Sequence, residues 1–173
     1  TFSDKIENDL ERRDFTINAI AYSPSKSSII DLHGGEKDLK NRIIRTVGEA
    51  EKRFNEDGLR ILRAIRLHAE LGFTINIETE NALKNAAPLL EKISKERIRD
   101  EFIRIIMSDN PVNALIHSHE LGILKYVVPE LEKGIGIEQN QAHSYDVWTH
   151  NLKTLQHSVD KKWGLTMRLS ALF

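Results

Sequence analysis

The sequence predicts a predominantly α-helical chain that opens with a short α+β segment. Three observations lead there. From Glu49 onward, apolar residues recur almost entirely at helical spacing. Only two short apolar runs, "SIID" (28–31) and "RIIRTV" (42–47), read as strands, too few for a complete sheet. Gly72, Pro88, Pro111, Gly122, Pro129 and Gly134 punctuate the helical stretches.

In order along the chain, Asp14 is placed to cap a short helix over "FTINAIAY" (15–22). "SPSKS" is a turn, followed by the strand 28–31. "HGGEKDLKN" begins with a Gly-Gly turn and continues as a helical turn into the strand 42–47. Helices are then expected over 49–54, 56–72, 78–90, 94–107, 109–120, 145–159 and from 163 onward. The composition shifts near residue 50, from mixed α and β to helix alone. It opens without Met and stops inside an apolar helical pattern, so it reads as an internal fragment.

The 173 residues are 40% hydrophobic and 29% charged, which describes a globular chain able to bury a core. Cysteine is absent, which excludes a disulfide framework or a cysteine zinc site and fits a reducing cytoplasm. No run approaches the roughly 18 apolar residues of a membrane span. The net charge of −1 removes any whole-chain argument for nucleic-acid binding, so such binding needs a local basic patch.

Two stretches supply one. In "EDGLRILRAIRLHAELGF" (56–73), Leu59, Leu62, Ile65 and Ala69 share one helical face, and Arg60, Arg63 and Arg66 share the opposite one. Like charges at that spacing oppose a helix by about 0.2–0.5 kcal/mol per pair. An arginine stripe with nothing local to offset it needs an anion, and phosphate suits a forked guanidinium. The plainer reading is a solvated basic face. In "DLERRDFTINAIA" (9–21), Arg12 and Arg13 adjoin Asp14 at a helix start, where free N–H groups favour anions. A salt bridge stiffening the turn explains the same residues. In "QNQAHSYDVWTHNLKTLQHS", His143, Asp146 and His150 are spaced to share one helical side and hold a metal, although capping or surface roles are the commoner use of such residues.

"DLERRDFTINAIA", "DLHGGEKDLKNRIIRTVG", "EDGLRILRAIRLHAELGF" and "ISKERIRDEFIRII" occur in the order seen in class II tRNA nucleotidyltransferases. The chain, over about residues 9–132, thus resembles the CCA-adding enzymes and the bacterial poly(A) polymerases of the same superfamily. "QNQAHSYDVWTHNLKTL" looks like the start of an HD-like helical domain. The resemblance implies that residues 1–48 are the C-terminal part of a nucleotidyltransferase palm. It makes 49–132 a helical neck and body that bind RNA and nucleotide, and 133–173 a truncated HD-like region. It implies addition of C, C and A to the tRNA 3′ end from CTP and ATP, in the cytoplasm. Arg13 would contact the incoming nucleotide, Asp57 and Arg60 would read the base edge, and Arg63 and Arg66 would bind nucleotide from the same helix, with Asp14, Asn18 and Glu56 in support.

Two departures limit this. The family's metal-binding D-x-D motif is absent, so the ligands of Mg2+ are expected upstream, and these residues alone are expected to bind nucleotide weakly without transferring it. The His-Asp dyad of an HD domain is also absent. Poly(A) polymerase, CC-only or A-only addition, a non-catalytic RNA-binding module and a His143- or His150-dependent phosphohydrolase remain as alternatives.

Overall fold

The structure is a computed structural model that describes residues 6–25, 27–138 and 145–173. Its centre is α4 (Leu59–Leu71), which buries Leu59, Ile61, Leu62, Ala64, Ile65, Leu67 and Ala69. A helix apolar on most of its circumference packs on several sides at once. The second apolar stripe of Ile61, Ala64 and Leu67 runs between the arginines, so the expected division into one core face and one solvent face does not hold.

The first segment differs most from expectation. α1 (Ile6–Glu11) leads to a single 3-10 turn at Thr16–Asn18, and the expected helix over 15–22 is instead this turn followed by strand β1 (Ile20–Ser23). Tertiary pairing overrides the local pattern. Thr16 N donates to Arg45 O at 2.9 Å and Val47 N to Asp14 O at 3.0 Å, which draws this stretch into an extended ladder. β1 pairs antiparallel with β2 (Ser28–Asp31), Ile20 opposite Asp31 and Ser23 opposite Ser28. Asp31 then closes the hairpin onto α2 (Gly35–Asn41), its carboxylate accepting from Gly35 N at 2.8 Å and Glu36 N at 2.9 Å. Burial pushes the Asp31 carboxyl up, but these backbone N–H groups together hold it below its ordinary value.

Gly35 sits where α2 meets the 3-10 turn. A Cβ there would overlap the Thr16 carbonyl oxygen and lie 2.8 Å from Ile20 Cγ1. Gly35→Ala is therefore expected to lower stability by about 1–3 kcal/mol through forced backbone displacement, measured as a lower urea midpoint with an unchanged m-value.

The second expected strand shrinks to β3 (Ile43–Ile44), which pairs in parallel with β4 (Thr74–Ile75). The pairing joins the first segment to the end of α4. The expected helix 56–72 begins later, because α3 (Ala50–Glu56) ends at Asp57, whose extended backbone (φ −152°, ψ 105°) separates it from α4. Asp57 acts as the cap of α4: its Oδ1 accepts from Leu59 N at 3.1 Å and its carbonyl from Arg60 N at 3.0 Å. Gly58 follows because a Cβ there would lie 3.1 Å from Leu89 Cβ. Gly72, at φ +64°, ends α4 with its N–H on His68 O.

α5 (Ile77–Ala86), a 3-10 stretch (Ala87–Lys92) and α6 (Lys95–Met107) return the chain alongside α4. α7 (Pro111–Glu120) and the short α8 (Leu124–Val127) and α9 (Pro129–Glu132) follow, then α10 (Val147–Asp160) and α11 (Leu165–Leu172). The main core surrounds α4. A second core gathers Phe102, Ile106, Leu115, Leu152, Leu155 and Leu172 from α6, α7, α10 and α11. Arg168 of α11 is buried and donates to the carbonyls of Ile106 and Ser108, both at 2.8 Å, closing the exposed end of α6. No helix among the described residues is long and apolar enough to cross a membrane.

Candidate nucleotide site

The turn after α1 and the first two turns of α4 converge on a hollow of about 540 Å³ lined by Arg12, Arg13, Asp14, Asn18, Arg60 and Arg63. Each element contributes through a local rule. Arg12-Arg13 directly follow α1. The ladder Val47–Asp14 fixes the turn that follows. α4 presents Arg60 and Arg63 toward it.

Every guanidinium here is held by oxygen. Arg12 Nε donates to Asp9 Oδ1 at 2.8 Å, and Arg13 Nη2 to Asp9 Oδ2 at 2.8 Å. Those contacts, that to Arg13 first, hold the Asp9 carboxyl below its ordinary value. Arg60 Nη1 donates to Glu56 Oε2 at 2.6 Å and to Arg53 O at 2.9 Å. Its grip, with that of Arg53, keeps the Glu56 carboxyl low although burial pushes the other way. Arg63 faces Asp14 Oδ2 at 3.1 Å. Asp14 is buried, and its other oxygen accepts from Phe15 N at 3.0 Å and Asn18 Nδ2 at 3.4 Å. These two donors replace the helix-capping contact expected of it. Asp14 therefore holds the floor of the hollow and aims Arg63 across it.

The structure brings Arg13, Asp14, Asn18, Arg60 and Arg63 together and places Glu56 behind Arg60. Asp57 and Arg66 lie elsewhere. Asp57 faces a neighbouring hollow of about 500 Å³ shared with Asn55, Lys92 and Arg97, and its Oδ2 accepts from Arg97 Nη2 at 2.9 Å. Arg66 is 6% exposed, donating at 2.6 Å to Glu101 Oε2 and at 2.6 Å to Glu70 Oε2. It ties α4 to α6 and has no access to the hollow. The stripe is thus offset locally, by Glu56 at Arg60 and Glu70 at Arg66, both visible as i,i+4 pairs in the sequence. Arg12 also lines the hollow and follows from the same doublet as Arg13. Arg97, 40 residues from its partner, carried no local signal.

Of the metal candidates, His143 lies outside the described residues and His150 sits on α10. Asp146 caps α10, accepting from Thr149 N at 2.9 Å and from Gly136 N at 2.8 Å. Among the described residues no three His, Asp or Glu side chains group so as to hold a metal ion. These residues therefore offer no fitting ligand set for Mg2+.

An open polar hollow ringed by four guanidiniums over a buried carboxylate suits a polyanion that also carries hydrogen-bonding edges. Residues 1–45 match the family described as "Poly A polymerase head domain", and 72–135 the one described as "Probable RNA and SrmB- binding site of polymerase A". The CCA-adding enzyme of Leuconostoc mesenteroides subsp. mesenteroides is 41% identical over 168 residues, covering 94% of this chain and 41% of that protein. The crystal structure of Bacillus stearothermophilus CCA-adding enzyme in complex with CTP superposes with a TM-score of 0.74 at 38% identity, covering 99% of this chain and 44% of that one. The Thermotoga maritima CCA-adding enzyme complexed with tRNA_CCA gives 0.72 at 30% identity, covering 90% and 36%. The chain spans about two-fifths of the length of these relatives. With its motifs, its hollow and these matches in agreement, the chain belongs to the family of CCA-adding tRNA nucleotidyltransferases and poly(A) polymerases.

Proposed function

We propose that these residues form the nucleotide-selecting part of an enzyme that adds C, C and A to the 3′ end of tRNA from CTP and ATP, in the cytoplasm. The observation that carries the reading is the hollow where Arg12, Arg13, Arg60 and Arg63 converge over buried Asp14. Cytosine and adenine share an exocyclic amino donor beside a ring-nitrogen acceptor. A carboxylate accepts from the first and a guanidinium donates to the second. Asp57 and Arg60, which face adjoining hollows across the break before α4, supply that pair to a base laid over the break, whereas uracil and guanine present the opposite pattern to both groups. Arg13 and Arg63 serve the triphosphate, and Arg66 serves the fold. Residues 1–48 belong to the palm, 49–132 to the neck and body that face tRNA, and 133–173 to a further helical unit.

The test is to incubate the full gene product carrying these residues with tRNA lacking its 3′ end and each nucleoside triphosphate in turn. Extension by CTP and then ATP, with UTP and GTP refused, is expected. Long adenosine runs would identify a poly(A) polymerase, and tRNA binding without extension an RNA-binding module. In the same assay Arg63→Ala is expected to raise KM for CTP and ATP alike by about tenfold, the size of one hydrogen bond to a charged group. A change in C-against-A preference alone would contradict a phosphate role.

A further inference from the structure

We infer that Arg97, at the start of α6, is a positioning residue for base selection: it sets the orientation of the Asp57 carboxylate. The inference rests on Asp57 reading the base. Arg97 lies inside the stretch 72–135 matched to an RNA-binding description, where the expected duty of an exposed arginine is a backbone phosphate. The geometry points elsewhere.

α4 and α6 are joined by charge pairs that alternate in sign and keep the same order along both. Arg97 meets Asp57 at 2.9 Å, Glu101 meets Arg66 at 2.6 Å, and Arg104 meets Glu70 at 3.3 Å. The middle pair is the buried one, its side chains 8% and 12% exposed, and Ile98 and Ile105 of α6 share the core around α4. The Arg97 side chain is half exposed, at 50%, and its pair adds little to stability by the ordinary worth of a surface ion pair. What the Arg97 contact does instead is local. Asp57 has two oxygens. Oδ1 accepts from Leu59 N–H, and Oδ2 accepts from Arg97 Nη2. With both held, the plane of the carboxylate is defined and each oxygen keeps lone-pair capacity for a further donor. A base amino group then meets an acceptor already aimed, with no rotamer to freeze on binding.

The separation of the two readers makes this matter. Arg60 is clamped by Glu56 and the Arg53 carbonyl on one side of the α3–α4 break, and Asp57 faces the hollow on the other. Among the described residues Arg97 is the hydrogen-bond partner of Asp57 Oδ2, so the direction of that oxygen relative to Arg60 depends on α6.

The experiment compares Arg97→Met, Arg97→Lys and Asp57→Ala in the full gene product. Its readouts are the CTP-to-UTP and ATP-to-GTP ratios of kcat/KM, tRNA affinity and urea unfolding. Arg97→Met is expected to reduce both ratios about tenfold, with tRNA affinity and the urea midpoint unchanged. Arg97→Lys should recover part of the loss. In an Asp57→Ala background, Arg97→Met should change the ratios no further. Unchanged ratios with weakened tRNA binding would overturn the inference and make Arg97 an RNA contact. If Asp57→Ala reduces the ratios and Arg97→Met does not, the inference fails while base reading stands. Should Asp57→Ala itself leave the ratios intact, base reading fails and the role of Arg97 falls with it.

Discussion

Arg66→Met is expected to lower the stability of this chain by about 3 kcal/mol, a large share of the 5–15 kcal/mol that holds a typical domain together. The side chain is 8% exposed and neutralises two carboxylates. Removing it leaves Glu101, whose side chain is 12% exposed, facing α4 without its cation. Glu70 fares better, because Arg104 reaches its other oxygen at 3.3 Å. That remaining partner keeps the expected cost near the lower end for a broken buried pair. Urea unfolding followed by circular dichroism measures it. Pairing Arg66→Met with Glu101→Leu should restore most of the loss, since an apolar pair of matching volume replaces a buried ion pair with little penalty. If Arg66→Met left the urea midpoint unchanged and weakened CTP binding instead, Arg66 would belong to the nucleotide and not to the helix contact.

Asp57→Ala is expected to act in the opposite proportion. The use of CTP and ATP should fall about 10- to 100-fold in kcat/KM, the worth of a hydrogen bond from a base amino group to a charged acceptor. Stability should fall by about 1 kcal/mol, the usual cost of removing a helix cap. The two losses are separable because the carboxylate is bound at two ends, Oδ1 to Leu59 N and Oδ2 to Arg97. Parallel kinetics and unfolding decide the matter. A drop in activity no larger than the drop in folded fraction would make Asp57 a structural salt bridge.

The helices were legible because their apolar spacing is strong, and α5, α6, α7, α10 and α11 lie close to where that spacing puts them. The failures have specific causes. Residues 20–23 carry the local marks of a helix but are claimed by pairing with 28–31, a contact no local pattern weighs. β4 is two residues long and exists through its pairing with β3, Ile43 opposite Thr74 and Ile44 opposite Ile75. The break at Asp57 was readable, since Asp-Gly ahead of an apolar run is a cap signal, but the arginine period runs through it and masks it. At the site, the Arg12-Arg13 doublet and the Arg60–Arg63 spacing pointed to the hollow that the fold assembles. Arg66 shares that spacing and was drawn in with them. Ile61, Ala64 and Leu67 between the arginines are what set the helix in the middle of the core, and a buried arginine at 66 follows from them. Arg97–Asp57 spans 40 positions and depends on how α6 is laid beside α4, which only the assembled chain specifies.

The helix break at Asp57 has a consequence for anyone who would re-engineer the selectivity of such a site. A side chain that also closes the first turn of α4 is best drawn from Asp, Asn, Ser and Thr. Of these, Asn keeps the shape and adds an N–H donor, the group that a keto oxygen of uracil or guanine requires. The requirement to start a helix thus favours a few short polar side chains, and on the proposed base-reading role the shortest mutational route toward a different pair of bases runs through Asp57→Asn.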